Sequence, residues 1–451
     1  MNLEYKLKDN VILRSHIEDR GGILIRLNDG ETLFLNDFGY KIIKIIEKTP
    51  YSINSIASTF YDSFDGIKNN DLEKDILLFL SSLVKENYIE KKSQSSGNSK
   101  STLINLQIEL TSACNERCIH CYLPNAVKDT SYSLNFDNLK KVIDDFTMLG
   151  GEQLTLTGGE PLLYPELHQL LKFCHEVEIK INLLSNLTLF NQKFIDSIIK
   201  HKYVDHIQVS LYSMKPSTHD YITKIRGSWE KTISSIHKLH ENGIPVTIAC
   251  PIMHENMHDI SDIMEYTIKN DISFRASTCL LPKNNGDSSF SNQSALNQNE
   301  YKQIYESLIS KFGQKAYNTL FKHSNRSERL CACPSYFISS GVCSTGVSSL
   351  AINSQGDVTP CPGWPTFVIG NIKKESLEDI WIKSSKLKLL KRLNQWKYFK
   401  DCLKCDDLDF CSICLRENTE NSSGQILDIN PKFCEMAKFS HKIFNKLNGF
   451  D

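Results

Sequence analysis

Apolar positions along the chain follow two rhythms. Between Ile104 and Ala276, short β-branched runs alternate with longer stretches in which apolar residues recur at helical spacing. The runs Ile104–Leu110, Gln153–Thr157, Ile179–Leu184, His206–Tyr212, Val246–Pro251 and Ile272–Ala276 predict strands. The stretches Phe136–Met148, Glu166–Cys174, Lys193–Lys200, Trp229–Glu241 and Ile260–Lys269 predict the helices that join them. Strands that run the same way need a long crossover between them, so this order predicts a parallel sheet curled into a barrel or part of one.

A different pattern precedes it. Gly22–Leu27 and Thr32–Leu35 are short β-rich runs joined across Asn28-Asp29-Gly30, a hairpin turn sequence. Ile42, Ile43, Ile45 and Ile46 follow Asn36-Asp37 at helical spacing and Ser52–Tyr61 predicts a second short helix. Asp71–Lys85 predicts a third, with Ile76, Leu77, Leu80 and Leu83 on its apolar face. Residues 1–91 are therefore expected to form a small α+β domain. Residues 92–101, KSQSSGNSKS, are small and polar without an apolar anchor and predict a flexible linker. Far downstream, Lys383–Lys400 interleaves Lys and Arg with Leu387, Leu389, Leu390, Leu393 and Trp396, which predicts one amphipathic helix with a solvated face.

Composition narrows the function. The chain has 451 residues, enough for several domains, and its 52 Lys and Arg against 53 Asp and Glu leave a net charge of −1. That balance argues against a protein held to nucleic acid by bulk charge. No apolar run reaches the length of a membrane span, and Met1–Asn10 alternates charged and apolar residues, so neither a membrane segment nor a signal peptide is expected and the protein is read as cytoplasmic. Its 15 cysteines would build a disulfide framework in a small secreted chain; in a large cytosolic one they point to metal or catalysis. Cys174, Cys250 and Cys279 stand singly and are read as packing. The others are clumped.

The first clump, Cys114-Asn-Glu-Arg-Cys118-Ile-His-Cys121, follows the first barrel strand, at the carboxyl end of the sheet where active sites of this architecture lie. Three thiolates can hold three irons of a cubane cluster and leave the fourth open to a substrate or cofactor; with His120 as fourth ligand, the same residues would make a zinc knuckle. After the second strand comes Thr157-Gly158-Gly159-Glu160-Pro161, a tight turn whose glycines let backbone approach a ligand. Later come Cys331, Cys333, Cys343 and Cys361, then Cys402-x2-Cys405-x5-Cys411-x2-Cys414, and Cys434. These suffice for two thiolate-ligated cubanes, while the pairs Cys402/Cys405 and Cys411/Cys414 alone would equally suit a four-thiolate zinc site.

The CxxxCxxC spacing, the aromatic Tyr122 after it and the GGEP turn resemble the radical S-adenosylmethionine (SAM) superfamily. The text from Asn353 to Pro362 and from Gly370 to Trp381, with the cysteines around it, resembles the SPASM extension, although two residues rather than the usual three separate Cys411 from Cys414. The N-terminal strands-then-helices order resembles the PqqD-like, winged-helix peptide-recognition domain of ribosomal-peptide maturases, a pattern that generic winged helices share.

These resemblances imply an α/β protein: a winged-helix-like α+β domain over 1–91, a linker over 92–101, a partial (β/α)6 TIM barrel with a bridging region over 102–330, a SPASM cluster-binding extension over 331–440 and a tail over 441–451. They imply SAM and three 4Fe-4S clusters as cofactors. Cys114, Cys118 and Cys121 would hold the catalytic cluster. Tyr122, Gly158, Gly159, Glu160, Pro161, Ser185, Asn186, Ser210 and Arg226 would bind SAM, the GGEP turn receiving its ammonium and Arg226 its carboxylate. Cys402, Cys405, Cys411 and Cys434 would hold one auxiliary cluster. Cys343, Cys361 and Cys414 would hold most of the other, its fourth position filled by Cys331, Cys333 or a substrate thiolate.

The implied chemistry is cleavage of SAM to methionine and a 5′-deoxyadenosyl radical that takes a hydrogen atom from an inert C–H. The implied substrate is a precursor peptide whose leader adds to the strand near Glu31–Leu35 and packs against the helix near Asp71–Lys85. A Cys sulfur-to-carbon thioether is the expected product; C–C or C–O cyclisation, epimerisation and sulfatase-maturing side-chain oxidation are the alternatives. Electrons would come from a flavodoxin or ferredoxin, and neither a nucleic acid nor a membrane is expected as a partner.

Overall fold

A computed structural model of the chain describes residues 3–8, 10–15, 21–47, 51–60, 69–93, 102–124, 132–190, 192–277, 280–321, 326, 334–419 and 424–450. These form two compact units, residues 1–100 with 326–338 and residues 101–325 with 339–451.

In the first unit, β1 (Leu3–Leu7), β2 (Val11–Ser15), β3 (Gly22–Arg26), β4 (Thr32–Leu35), β5 (Tyr51–Ser52) and β6 (Ile89–Ser93) make two antiparallel sheets, ordered β5-β1-β6 and β2-β3-β4. The expected hairpin forms between β3 and β4, its turn closed by the Gly30 N–H on the Arg26 carbonyl at 2.9 Å. Asn36 starts helix Asp37–Ile46 by accepting the Gly39 N–H at 2.8 Å, as a short polar side chain at a helix start does. Helices Ile53–Ser58 and Asn69–Lys85 complete the α+β unit. Ile42, Ile43, Ile46, Ile76, Leu80 and Leu24 are wholly buried in a core of its own.

Strands β1, β2, β5 and β6 were not expected from the pattern. β6 carries the unit past residue 91, because Lys92 and Ser93 pair with Glu4 and Leu3, so the stretch read as a linker begins as a strand. The rest of that stretch, 94–101, and Tyr61 of the second helix lie outside the described residues. β4 ends its sheet with one neighbour, and Phe34 on it is 71% exposed.

In the second unit, β7 (Asn105–Glu109), β8 (Gln153–Thr157), β9 (Lys180–Ser185), β10 (His206–Ser210), β11 (Val246–Pro251) and β12 (Ser273–Ser277) are parallel neighbours in chain order. Helices Phe136–Met148, Leu167–Glu176, Gln192–His201, Ser228–Glu241 and Ile260–Lys269 lie between them, as expected of an open (β/α)6 barrel. The sheet does not stop at β7. On its other edge β13 (Ser349–Ile352) adds in parallel, followed by antiparallel β14 (Asp357–Thr359) and β15 (Gly370–Asn371). One core therefore runs from Leu154, Leu156, Ile207 and Ile248 through Tyr317 to Leu350, Ile352, Val358 and Ile443, and barrel and extension fall in one compact unit.

Helix Pro216–Thr223 was not expected. The single helix expected over Lys383–Lys400 is instead Ser385–Leu393, preceded by Leu377–Lys383 and followed by a turn that buries Trp396. Ser384 breaks it by capping the Leu387 N–H at 3.4 Å, and Asn394 leaves the helix for the Cys343 loop. Cys174 and Cys250 are buried in the core, as packing residues are; Cys279 lies outside the described residues. Among the described residues no helix is long and apolar enough to cross a membrane.

Candidate active site and cluster-binding cysteines

The first cysteine loop leaves the carboxyl end of β7 and is pinned from two sides. On one side the Gly159 N–H donates to the Thr111 carbonyl at 2.7 Å and the Glu160 N–H to the Ala113 carbonyl at 2.8 Å. On the other, the Arg117 and Ile119 N–H groups donate to the carbonyls of Thr223 and Ile222 at 3.0 and 2.9 Å, at the end of helix Pro216–Thr223. The glycines serve this packing. A Cβ on Gly159 would lie 2.3 Å from the Ala113 oxygen, and one on Gly158, whose φ of +155° already disfavours other residues, 2.4 Å from the Thr111 oxygen. Cys114, Cys118 and Cys121 are half-buried in the loop so held.

Glu160 joins the turn to the next strand. It is fully buried and accepts the Leu162 N–H at 3.1 Å, the Ser185 hydroxyl at 2.7 Å and the Asn186 N–H at 2.9 Å. Burial pushes its carboxyl up to about 7, against three donors that favour the charged form. Asn186 donates in turn to Asn115 at 3.0 Å, and Asn115 to Thr188 at 2.6 Å, which returns the network to the cysteine loop. Pro161, buried, opens a short turn of helix. The Tyr122 phenol donates to the buried carboxylate of Glu109, the last residue of β7.

Gly158, Gly159, Glu160, Pro161, Ser185 and Asn186 are thus assembled around the cysteine loop, with Tyr122 at its end. Ser210 closes β10 beside the phenol of Tyr212, whose oxygen lies 4.0 Å from the Cys118 sulfur. Arg226 stands exposed on the turn after Thr223, and the described contacts do not join it to the others. Asn115, Glu109, Thr188 and Tyr212 belong to the site without having been expected there. Their partners are distant in sequence, so spacing carried no signal; only the adjacency of Tyr212 to Ser210 pointed toward it.

The later cysteines gather in two sets. Burial pushes the Cys361 thiol up to about 11, with Cys414 and Cys343 near enough to add to the rise. Burial raises Cys414 too, with Cys343 contributing and the Arg416 guanidinium opposing. Cys402 is pushed up to about 11 by burial, then by Cys434 and Cys405. Cys411 is half-buried at the end of a short turn, and Cys405 and Cys434 are exposed. Cys331 and Cys333 lie outside the described residues. Asn394, wholly buried, fixes the Cys343 loop: it accepts the Cys343 N–H at 3.1 Å and donates to the Cys343 and Thr345 carbonyls at 2.8 and 2.9 Å.

Among the described residues no three His, Cys, Asp or Glu side chains converge as a single metal ion requires. A cubane spreads its thiolates over separate irons, one each, and the looser sets of cysteines suit that geometry. Three thiolates on such a cluster would leave its fourth iron open.

A cavity of about 1000 Å³ runs alongside. Its wall includes Ser277 at the end of β12, Leu280, Tyr301, Tyr305, Phe410 and Arg416. Leu280 packs in the same apolar group as Cys118 and Ile119. At the other end the buried Arg416 shares a corner with Cys361: a Cβ on Gly363 would meet the Arg416 Nε at 3.9 Å and the Cys361 sulfur at 4.0 Å. Two of its wall residues thus lead toward cysteines, Leu280 through the apolar group that also takes Cys118 and Arg416 through its place near Cys361, and the cavity is in the size range of ligand sites.

Residues 108–267 match the Radical SAM superfamily, and residues 343–406 match SPASM, an iron-sulfur cluster-binding domain. The chain is similar to an AdoMet-dependent heme synthase of Methanosarcina barkeri, 24% identical over 332 residues that cover 72% of this chain and 94% of that one. It is similar to the antilisterial bacteriocin subtilosin biosynthesis protein AlbA of Bacillus subtilis, 23% identical over 426 residues that cover 90% of this chain and 91% of that one. Its fold is similar to that of Streptococcus suis SuiB bound to the precursor peptide SuiA, with a TM-score of 0.54, 17% identity, and 93% and 98% of the two chains covered.

Proposed function

The chain carries a radical SAM domain and a C-terminal SPASM domain, and on that premise we propose that it installs a cross-link in a ribosomally made precursor peptide. The observation that carries this reading is the cavity, whose wall residue Leu280 packs in the apolar group of Cys118 and whose wall residue Arg416 lies near Cys361. A substrate filling it would have a C–H near one set and a thiol near the other. SAM bound at a cluster on Cys114, Cys118 and Cys121 would supply a 5′-deoxyadenosyl group that takes a hydrogen atom; the chain's own residues would fix the loop, exclude water and orient the target. The cofactor contacts would be Tyr122, the Gly158–Pro161 turn, Ser185, Asn186, Ser210 and Arg226. Two auxiliary clusters complete three, one on Cys402, Cys405, Cys411 and Cys434, the other on Cys343, Cys361 and Cys414 with a fourth ligand from Cys331, Cys333 or the substrate.

A thioether is the favoured product. Joining a cysteine sulfur to carbon removes two hydrogens. One would leave as an atom to give 5′-deoxyadenosine and the other as the thiol's proton, and the remaining electron would be taken up by an auxiliary cluster, for which thiolate is the natural ligand. The first unit would act as a PqqD-like leader-binding domain, with β4 as the edge that a peptide strand extends. Two similarities favour a peptide: the SuiB structure holds a precursor peptide, and the match to AlbA covers so much of the chain that it must reach into residues 1–100. The heme synthase match covers 72% and favours a second reading, a small metabolite as substrate.

The test takes a short cysteine-containing peptide, sought among the reading frames beside this gene, with SAM and a reducing flavodoxin or ferredoxin. The expected product is two hydrogens lighter, no longer alkylated by iodoacetamide, with one 5′-deoxyadenosine per bond. Loss of two hydrogens with the cysteine still free would move the assignment to a C–C or C–O link. An unchanged peptide would favour the second reading. Phe34→Glu on β4 should weaken leader binding and spare SAM cleavage; unchanged peptide affinity would remove the leader-docking role.

A further inference from the structure

Two carbons beyond its backbone, the ring of Tyr212 is clamped. It meets His120 edge-on at 4.8 Å and stacks on His219 at 5.3 Å. The Tyr212 backbone N–H donates to the His219 Nδ1 at 3.3 Å and its backbone carbonyl accepts from the Asn256 side-chain amide at 3.0 Å, both partners buried. The ring belongs to the apolar group that holds Cys118 and Ile119, and the phenol oxygen lies 4.0 Å from the Cys118 sulfur, within the range of an O–H···S bond. Glu116 also approaches that sulfur, its carboxylate accepting from the thiol at 3.4 Å. When Cys118 gives up its proton to bind iron, the Glu116 carboxylate has nothing left to accept from it. The phenol can then donate to the thiolate.

We propose that Tyr212 is a positioning residue of the first cysteine loop, donating a hydrogen bond to the Cys118 sulfur and so raising the reduction potential of the cluster held there. The inference rests on the radical SAM reading of that loop. Hydrogen bonds to cluster sulfurs favour the reduced, more negative state, and one donor in a dry site has a large effect because the surroundings screen it poorly. The proposal concerns electron entry: a cluster that is easier to reduce reaches the SAM-cleaving state with a weaker donor.

The experiment is an EPR-monitored redox titration of full-length Tyr212→Phe after anaerobic reconstitution, following the cluster whose signal changes when SAM is added. The one-electron reduction equilibrium should fall about tenfold, a shift of about 59 mV to more negative potential. The two auxiliary clusters should not move and serve as the internal reference. A full complement of iron with an unshifted SAM-sensitive signal would overturn the proposal and leave the radical SAM reading standing. Absence of any SAM-sensitive cluster in the wild-type protein would overturn both. If Tyr212→Phe loads iron poorly, 3-fluorotyrosine at 212 tests the same bond in the opposite direction: it keeps the shape, donates more strongly, and should raise the potential. An unshifted potential there also refutes the bond.

Discussion

Gly159→Ala isolates the contact between the glycine turn and the cysteine loop. The added methyl carbon would sit 2.3 Å from the Ala113 oxygen and 2.5 Å from the Ser112 oxygen, where ordinary contact begins at 3.4 Å. Both obstacles are backbone, so turn or loop must retreat by about 1 Å, which breaks or lengthens the Gly159-to-Thr111 and Glu160-to-Ala113 hydrogen bonds. Overpacking of this kind costs about 1–3 kcal/mol, and two backbone bonds add about 1 kcal/mol each, for about 3–5 kcal/mol in the second unit. Iron per chain, cluster absorbance and the urea midpoint of the second unit are the measurements. One cluster's iron, about four of about twelve atoms, should be lost. Gly363→Ala is the control, because its methyl finds nothing closer than 3.8 Å and should change the stability by less than about 0.5 kcal/mol. Wild-type iron and midpoint in Gly159→Ala would refute the view that this contact places the loop.

Other tests probe single groups. Glu160 titrates near 7 in the folded protein against 4.5 ordinarily, so the native state keeps a proton that the unfolded chain loses between those values. Stability should therefore fall by about 3 kcal/mol as pH rises through that window and level off above it; Glu160→Gln should flatten the slope, and equal slopes would contradict the assignment. Asn394→Ala strands the Cys343 N–H and two carbonyls, and should cost about 2–4 kcal/mol with loss of one auxiliary cluster's iron; unaltered iron and thermal midpoint would count against that role. Replacing Cys114, Cys118 and Cys121 together by Ala should abolish 5′-deoxyadenosine formation and keep auxiliary absorbance; continued formation would put the SAM site elsewhere. Cys361→Ala and Cys402→Ala should each remove about four irons independently, which a shared site would not do.

What the sequence disclosed depended on how local the signal was. Strands β8 and β11 and helices Phe136–Met148 and Ile260–Lys269 have the bounds their apolar patterns predict, because a strand or helix buried against one sheet writes its burial into consecutive residues. β1 was equally readable: Leu3, Tyr5 and Leu7 alternate with Glu4 and Lys6, a period-two pattern used above only against a signal peptide. β6 was not readable, since Lys91, Lys92 and Ser93 are tolerated on an edge strand and its pairing with β1 closes almost the whole unit. In the site, cysteine spacing and the GGEP turn announce themselves, and Ser185 and Asn186 follow from their place at a strand end. Asn115 and Asn394 give no such notice. Each is an ordinary polar residue whose meaning comes from a partner more than fifty positions away.

The link between the two halves of the second unit is itself a polar pair of contacts on one buried group. Tyr122, next to Cys121, donates its phenol to the Glu109 carboxylate at the end of β7, and the backbone of Ser354, at the tip between β13 and β14, lies near enough to that carboxylate to favour its charge. The register of Ile352 against Ile108 sets that tip beside Glu109. Burial drives the Glu109 carboxyl above the usual carboxylate range, and the two donors oppose it by favouring the charge. A buried carboxylate stripped of its donor is costly, so the first cysteine loop cannot draw Tyr122 away from Glu109 freely. The same hairpin runs between Cys343, before β13, and Cys361, after β14. The extension is thus a continuation of the barrel's sheet and core rather than a tethered lid, and the spacing between its cysteines and the first loop is set by strand register.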